Sequence, residues 1–534
     1  MKTTIKNLIL SAVLVVGGAS CVDLDTAPYD RETDLTYWEE DPEAAVKALN
    51  TCYTYLGNMD EQLYCEAMTD NAYTKQPNDA TQNIGNGSYS TADPYVKKVW
   101  DGRYTGIRMC NELLENIDRV PDLDPELKKR YIGEAKVLRA YNYYELYTKF
   151  GDVPYTTKVL SIKESMSIAR TAKATVIANV LADLDEVING NYLPTSYDAD
   201  NKGRITRWAA MAIKAKIYLF EGNWTQVKNI TSTIMTEGGF KLFESYAGLF
   251  EIANEYNSEV ILDAQYRPTS REHQMMYVFL PPTLGGYSQL SPLQELVDSY
   301  IMLDGKTIRE TGTSFDESNP YANRDPRLKA TVMYTGNSYT LADGTEAVIN
   351  CEKGEGKDGY GVGSDCSATG YYIKKYWDNT YRATLYSGLN PILIRYADIL
   401  LMNAEALAEL GELDKTAWDA TIKPIRDRAG FTLASAVEFP EGASKDKLIE
   451  IVRNERRSEL ALEGHRHKDI IRWRIADDVL NGWCHGLKTN EVVGTDNGYV
   501  RVENRAFNAN KHYLWPIPQA ERDLNGNLVQ NPNW

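Results

Sequence analysis

"ITRWAAMAIKAKIYLFEGNWTQVKNITSTIM", residues 205–235, decides the fold class of this chain. Trp208, Met211 and Ala215 recur at three- and four-residue steps, which is the period of a helix with one apolar face. The pattern breaks at Gly222 and then resumes. We therefore expect two helices joined by a short turn, with small residues where the helices approach each other.

The same plan returns in residues 392–430, "ILIRYADILLMNAEALAELGELDKTAWDATIKPIRDRAG". An alanine-rich face leads to Gly411, which ends the first helix, and Trp418 lies in the second. Such units resemble tetratricopeptide repeats, helix pairs of about 34 residues that cannot bury their faces alone and must stack. The sequence therefore predicts a mostly α fold: a tetratricopeptide-like helical-repeat scaffold with large irregular loop insertions and a few short β-strands.

The loop insertions are visible as a change in composition. Glycine, proline, asparagine and aspartate become frequent between residues 241 and 390, and a similar irregular stretch covers residues 69–95. Long loops on a helical scaffold are where binding sites tend to lie. We expect one compact unit with three regions: an N-terminal helical region (21–240) with a binding loop at about 69–95, a loop-rich insertion region (241–390) and a C-terminal helical region (391–534).

A tyrosine-rich segment, "VLRAYNYYELYTKFGDVPY" (137–155), could either hold a ligand or fill a core. Val137 and Tyr144 lie along one helical face and Tyr143 and Tyr147 along another, so the helix is apolar nearly all round. We predict that these tyrosines pack between neighbouring helices and do not form a ligand surface.

The charge balance narrows the range of partners. The 534 residues include 58 Lys and Arg against 75 Asp and Glu, which gives a formal net charge of −17. Such a chain repels phosphate backbones, so we expect no nucleic-acid partner. Tyrosine outnumbers phenylalanine 36 to 10, and every buried tyrosine hydroxyl needs a hydrogen-bond partner. This composition favours amphipathic contacts.

The first twenty residues have the pattern of a signal peptide. A positive start and a short apolar run lead to small residues directly before Cys21, and the run is too short to span a membrane. This pattern resembles a bacterial lipobox, which predicts a signal peptide at 1–20, lipidation of Cys21 and a lipid anchor. The acidic stretch "CVDLD" that follows is similar to the tether of lipoproteins sent to the outer face of the outer membrane. The alternative is ordinary secretion with an unmodified Cys21.

Six further cysteines remain for a compartment that permits disulfides. Cys351 and Cys366 flank a glycine-rich loop and are the pair we expect to be joined, with buried free thiols as the alternative. The loop contains "GEGKDG" (354–359), but no helix follows to bind a pyrophosphate. Asp358 and Asp365 could contact a cation, although the spacing is not that of an EF-hand.

Catalytic and metal-binding patterns are weak. His465 and His467 stand two residues apart, and on a helix their side chains would point about 200° apart, so one metal ion could not take both. We predict a salt-bridged amphipathic helix there. The sequence contains no G-x-S-x-G, H-E-x-x-H or Walker motif. We therefore expect a non-enzyme without metal or cofactor.

Six segments together resemble the SusD/RagB family, surface lipoproteins of starch-utilisation-type nutrient-uptake systems in Gram-negative bacteria. They occur in the family's order and are "LRAYNYYELYTKFGDVPY" (138–155), "SPLQELVDSYIMLDG" (291–305), "NRDPRL" (323–328), "ILIRYADILLMNAEALAELG" (392–411), "IVRNERRSELALEGHRHKDIIRW" (451–473) and "YLWPIPQAERDLNGNLVQNPNW" (513–534). The resemblance implies a helical scaffold, loops that carry a ligand site, and docking as a lid over a SusC-like TonB-dependent transporter. It also implies binding and handover without chemistry.

Glycan capture requires flat aromatic faces for the apolar side of a sugar ring, and polar groups for its hydroxyls. The predicted loops contain both. The candidate ligand-binding residues are Asp70, Asn71, Tyr73, Tyr89 and Tyr95 in the first loop, Tyr287 in "LGGYSQ", and Trp377, Asn379 and Tyr381 in "KKYWDNTYR".

We therefore predict a cell-surface, outer-membrane glycan-binding lipoprotein that delivers an oligosaccharide to a SusC-like transporter. One alternative is a peptide-binding lid of the same transporter type, and another is a tetratricopeptide-like adaptor that holds a protein. Loop aromatics that converge on one shallow cleft favour sugar, an open groove with backbone-pairing edges favours peptide, and a bare helical concavity favours the adaptor.

Overall fold

The computed structural model of the chain describes residues 33–34, 36–75, 80–381 and 384–534. The predicted signal peptide and Cys21 therefore lie outside the described residues. Within the described part, no helix is both long and apolar enough to cross a membrane.

The structure is mostly helical with short strands. Its α-helices are α1 (Ala44–Tyr53), α2 (Met59–Tyr64), α3 (Ala80–Asn86), α4 (Pro94–Asn116), α5 (Pro125–Phe150), α6 (Ile162–Ser165), α7 (Lys173–Asn189), α8 (Arg207–Phe220), α9 (Trp224–Glu237), α10 (Met275–Phe279), α11 (Gln294–Ser299), α12 (Pro326–Thr331), α13 (Tyr396–Leu410), α14 (Lys415–Ala420), α15 (Ile422–Ala429), α16 (Ala434–Val437), α17 (Lys445–Glu459), α18 (Arg466–Arg472), α19 (Ala476–Val479) and α20 (Gln519–Leu524). Its strands are β1 (Ala72–Thr74), β2 (Val260–Asp263), β3 (Leu290–Pro292), β4 (Val332–Met333), β5 (Ser338–Thr340), β6 (Glu346–Val348), β7 (Tyr372–Ile373), β8 (Ile392–Arg395), β9 (Asn481–Lys488), β10 (Thr495–Asp496) and β11 (Tyr499–Ala506).

The long helices stack in chain order, which confirms the tetratricopeptide-like prediction. α1 packs on α4, α4 on α5, α5 on α7, α7 on α8 and α8 on α9. α9 then packs on α13, so the two predicted hairpins lie side by side, and α13 packs on α17. The second hairpin differs from the prediction in one respect, because Thr421 separates α14 from α15. Pro424 explains the break, since a proline ring clashes with the carbonyl four residues earlier.

The tyrosine-rich segment fills the core, as predicted. α5 begins after the capping side chain of Asp124 and ends at Gly151, where the backbone φ is +72°. Tyr143, Tyr144 and Tyr147 are buried along this helix. The Tyr143 hydroxyl donates to the carbonyl of Thr156 at 2.8 Å, so this buried phenol is satisfied.

Small antiparallel strand pairs join distant parts of the chain. β1 pairs with β3, β2 with β8, β4 with β7 and β5 with β6, while β9, β10 and β11 form a three-stranded sheet in the order β10-β11-β9. The β2–β8 pair closes the loop-rich region at its base, with Val260 opposite Arg395. The β1–β3 pair aligns Tyr73 with Ser291 and brings the first predicted binding loop beside the second.

A buried ion network ties the loop-rich region to the C-terminal helices. Glu459 on α17 contacts Arg327, Arg395 and Arg428, and none of these four side chains is more than slightly exposed. Burial alone would raise the pKa of Glu459, but Arg428, Arg395 and Arg327 outweigh it and hold that pKa well below its ordinary value. The network balances five cations against five anions, and its members are Arg327, Lys375, Arg395, Arg426, Arg428, Glu259, Asp325, Glu455, Glu459 and Glu463.

The histidine segment is enclosed and is not an amphipathic surface helix. His465 precedes α18 and His467 lies within it, and burial lowers the pKa of each to about 3, so both rings are neutral at pH 7. The predicted ion pairs are present, since Arg456 contacts Asp398 at 2.6 Å and Asp469 at 2.9 Å. Asp398 lies on α13, so this pair holds the segment against a helix of the scaffold.

The disulfide expected between Cys351 and Cys366 is not formed. Both are buried free thiols, and the Cys366 sulfur lies 3.3 Å from the carbonyl of Lys357. The side chain of Cys52 on α1 instead meets that of Cys110 on α4. Their hydrogen bond is the main cause that raises the pKa of Cys52, and burial raises it further.

We predict that Glu459→Gln destabilises the fold by about 3–5 kcal/mol, because it leaves buried guanidinium groups without their counter-charge. Urea unfolding followed by circular dichroism measures this change. Lys415→Gln is the control, since Lys415 forms an exposed pair with Asp419 and its loss should leave the unfolding midpoint unchanged. Equal midpoints for Glu459→Gln and the wild type would contradict the role given to the network.

A second prediction concerns pH. The ring of His485 on β9 lies 2.8 Å from the carboxylate of Glu295 and 3.0 Å from that of Asp496. The hydrogen bond to Glu295 is the main cause that raises the pKa of His485 above the ordinary 6.5. Burial opposes this shift, and the hydrogen bond to Asp496 adds to it. A raised histidine pKa stabilises the fold fully below about pH 6.5, and the contribution disappears as pH rises through the folded-state pKa. The difference in unfolding free energy between wild type and His485→Gln should therefore shrink from pH 6 to pH 9. A difference that is constant over this range would contradict the assignment.

Candidate functional site

Three tyrosines form an aromatic surface in the loop-rich region. The rings of Tyr277 and Tyr287 are nearly parallel, with centroids 5.8 Å apart and an interplanar angle of 21°, and Tyr386 meets Tyr277 edge-on at 6.2 Å. Tyr287 is 46% exposed and Tyr386 is 38% exposed, whereas Tyr277 is half-buried beneath them. We call Tyr277, Tyr287 and Tyr386 the tyrosine platform.

Backbone pairing fixes Tyr287 beside Tyr277. The Tyr287 N–H donates to the carbonyl of Tyr277 at 2.8 Å, and the Gln289 N–H donates to the carbonyl of Val278 at 2.6 Å. The turn between them requires glycine at position 286, because a Cβ there would lie 2.1 Å from the carbonyl oxygen of Leu280. This tight turn aims the Tyr287 ring back over α10.

A second backbone bridge positions Tyr386. His273 and Ser387 exchange two backbone hydrogen bonds of 2.9 and 3.0 Å. Burial lowers the pKa of His273 to about 4, so its ring is neutral, and its Nε2 donates to the carbonyl of Leu389 at 3.2 Å. The exposed Gln274 donates from its amide to the Tyr386 hydroxyl. The platform therefore carries a polar rim beside its aromatic faces.

The predicted loops converge on the segment that holds Tyr287. The backbone N–H of Lys75, at the end of β1, donates to the carbonyl of Gln289 at 2.9 Å, and its ammonium group donates to the carbonyl of Cys366 at 2.9 Å. The N–H of Thr283 donates to the buried carboxylate of Asp358 at 2.7 Å. The glycine-rich loop thus supports the segment that holds Tyr287. The Asp358 carboxylate, which the sequence offered as a cation contact, accepts a hydrogen bond from a backbone N–H.

The arrangement can hold a flat apolar ring with hydroxyls at its edge. Exposed tyrosine faces cover the C–H side of a sugar, while the tyrosine hydroxyls and the amide of Gln274 can exchange hydrogen bonds with its O–H groups. Nearby, the guanidinium of Arg271 lies 4.9 Å from the ring centroid of Tyr266. Within the ranges that the structure describes, no group of three or more His, Cys, Asp or Glu could hold a metal ion.

Two predicted ligand residues are structural, which corrects the sequence-based interpretation. Asp70 is buried and pairs with Arg457 at 2.9 Å and Arg466 at 2.8 Å. Burial would raise the pKa of Asp70, but these two guanidinium groups hold it well below its ordinary value. Asn71 is buried too, donating to Glu66 at 2.8 Å and accepting from Arg457 at 2.9 Å. Neither side chain has a surface left for a ligand.

The aromatics of the first loop pack inward. Tyr89 is buried with its ring 4.8 Å from that of Trp534. Tyr95 belongs to α4 rather than to the loop and packs against the main core. Tyr73 is half-buried on β1, and its hydroxyl accepts from the Gln82 amide at 3.3 Å. Burial excludes Tyr89 from the surface, and Tyr73 and Tyr95 face neighbours other than the platform.

Of the third group of predicted residues, Trp377 makes its contacts with β5. The indole N–H of Trp377 donates to the carbonyl of Thr340 at 2.9 Å, and its ring lies 5.2 Å from that of Tyr339. Asn379 and Tyr381 occupy the short 3-10 turn that follows. The side chain of Tyr381 is outside the described part of the chain, so its role in ligand binding stays a prediction.

Of the predicted residues whose side chains the structure describes, Tyr287 is the one that belongs to the platform. Tyr277 and Tyr386 were missed by sequence reasoning. Tyr386 stands in "LYSGLN", a turn-forming context like that of Tyr287, and this was an available signal. Tyr277 stands in the apolar run "MMYVF", which gives no indication of exposure.

Comparisons with known proteins agree with this architecture. The family model described as SusD family matches residues 249–534, and a model described as "Starch-binding associating with outer membrane" matches residues 37–219. SusD-like protein P25 of Formosa agariphila is 27% identical over 560 residues, covering 99% of this chain and 98% of that protein.

Solved structures show the same fold. A SusD-like carbohydrate binding protein from Bacteroides fragilis is 29% identical with a TM-score of 0.81, and the match covers 92% of this chain and 100% of that one. A SusD-like protein from the same species is 26% identical with a TM-score of 0.80, covering 95% of this chain and 100% of that one. With a family model matched over more than half of its length, the chain belongs to the SusD family.

Proposed function

We propose that this protein captures an oligosaccharide on the tyrosine platform and delivers it to a SusC-like TonB-dependent transporter. In this proposal a lipid on Cys21 anchors the protein to the outer membrane with the platform facing outward from the cell surface. The observation that carries the proposal is the convergence of Tyr277, Tyr287 and Tyr386, two of them exposed, beside the exposed amide of Gln274.

Two further observations support a sugar ligand. The Bacteroides fragilis structure that resembles this chain is described as a carbohydrate binding protein. The exposed tyrosines also converge on one surface, which favours sugar over peptide, and they lie on loops, which disfavours an adaptor that binds through its helices. The function is proposed as binding without catalysis, because the described side chains of the platform and Gln274 offer stacking and hydrogen bonds.

We predict that replacing Tyr287 or Tyr386 by alanine weakens oligosaccharide binding about 5- to 30-fold, as expected for a central aromatic contact worth about 1–2 kcal/mol. Calorimetry on the form lacking residues 1–21, against a panel of plant, host and microbial oligosaccharides, measures the effect. Trp483→Ala is the matched control, since this exposed tryptophan lies on β9. Silence across the panel together with peptide binding would overturn the sugar assignment.

The same variants test delivery. Cells whose only copy of this protein carries both Tyr287→Ala and Tyr386→Ala should take up a labelled oligosaccharide more slowly than wild-type cells. Normal uptake despite lost binding would contradict the handover step.

We also predict that Cys21→Ala releases the protein from membranes, because the lipid is the proposed anchor. Fractionation of cells into membrane and soluble pools measures this. Cys21→Ala protein that stays in the membrane pool would refute the lipid anchor.

A further inference from the structure

A second cleft lies at the C-terminal end of α5. Its volume of about 820 Å³ falls within the range of about 300–1,000 Å³ that small-molecule sites occupy. Its walls come from the end of α5, from residues 169–173, from the ends of α8 and α18, and from residues 527–532 near the C-terminus. None of the platform tyrosines lines it.

The cleft is positively charged although the chain as a whole is strongly acidic. Arg170, Lys173, Arg472 and Arg474 line it together with a single carboxylate, that of Asp152. Lys173 pairs with Glu221 at 2.8 Å, and Arg472 pairs with two acids of the interior. Among the described residues, no carboxylate lies within ion-pair distance of Arg170 or Arg474. Neither guanidinium therefore has a direct ion pair, although Asp152 and Asp477 are near enough to interact with them electrostatically. The lining keeps an excess of positive charge, which attracts anions.

These two arginines have different surroundings. Arg170 is held in the wall, where it donates to the carbonyls of Asp152 and Val529 and to the amide oxygen of Asn531. The exposed Arg474 lies over the ring of Tyr513, 3.6 Å from its centroid. Arg474 therefore offers a fixed cation at the surface of the cleft, and its guanidinium is suited to bidentate contact with a carboxylate or a sulfate.

We propose that this cleft is a second binding site, which takes an anionic saccharide. Arg474 pairs with the carboxylate or sulfate group, and the apolar side chains of Phe220, Leu514 and Val529 contact the C–H faces of the sugar. The cleft's charge and its volume stand independently of the platform. Naming the anion as a sugar rests on the proposed function.

Matched ligand pairs test this proposal by calorimetry on the mature chain. Trigalacturonate is compared with its methyl ester, and a sulfated galactan oligosaccharide with its desulfated form. We expect at least one acid to bind about tenfold more tightly than its neutral form, as for a hydrogen bond to a charged group. A preference for trigalacturonate assigns a carboxylate site, and a preference for the sulfated sugar assigns a sulfate site. Equal binding of charged and neutral forms would overturn the proposal, as would binding of acidic peptides alone.

Variants of the cleft locate the binding. Arg474→Gln should lose about tenfold in affinity for the acid, whereas Arg501→Gln, which removes an exposed cation from β11, should lose none. Unchanged affinity in Arg474→Gln would contradict the site. A variant with both Tyr287 and Tyr386 replaced by alanine should keep this binding, so failure of the platform and failure of the cleft are distinguishable.

Discussion

The ion network around Glu459 and Arg395 is the constraint on which the rest of the structure depends. Ten charged side chains lie almost without solvent, and their charges cancel. Each charge is tolerable only because its partners are present, since an isolated ion in the interior costs several kcal/mol. The partners come from β8, α12 and its capping residue, α15, α17, the residue before β2, and the segments that follow β7 and α17. These elements therefore adopt one mutual arrangement, and the loop-rich region inherits its position from the helices.

The position of the platform depends on this arrangement through the β2–β8 pair, which we call the stem. Glu259 and Arg395 form an ion pair at 2.6 Å at the end of the β2–β8 pair, although 136 residues separate them in sequence. The chain between these two residues therefore leaves the helical scaffold and returns to it at the same place. Tyr277 lies shortly after the first strand of the stem and Tyr386 shortly before the second. The two tyrosines are thus close in space because both are near the stem, and Tyr287 joins them through its tight turn.

Sequence reasoning succeeded where the physics is local. Helical periodicity and glycine breaks gave the stacked hairpins, and a turn-rich context indicated that Tyr287 would be exposed. It failed where a side chain pairs with residues that are distant in the sequence. Asp70 looks available in its own loop, yet its partners Arg457 and Arg466 stand nearly 400 residues away. Periodicity says nothing about such pairing, and for the same reason the burial of His465 and His467 was not predicted.

The two-stranded stem has a consequence for how this protein can vary. Because the platform-bearing loops are attached through two adjacent strands, their length and contents can change while the stem stays in register and Arg327 and Lys375 keep their pairs with Glu455, Glu459 and Glu463. The entropy of closing such a loop grows only with the logarithm of its length, at roughly 0.6 kcal/mol for each doubling. The same set of stacked helices could therefore carry different recognition surfaces. Ligand choice would then evolve, or be engineered, between Glu259 and Arg395 without any revision of the helices.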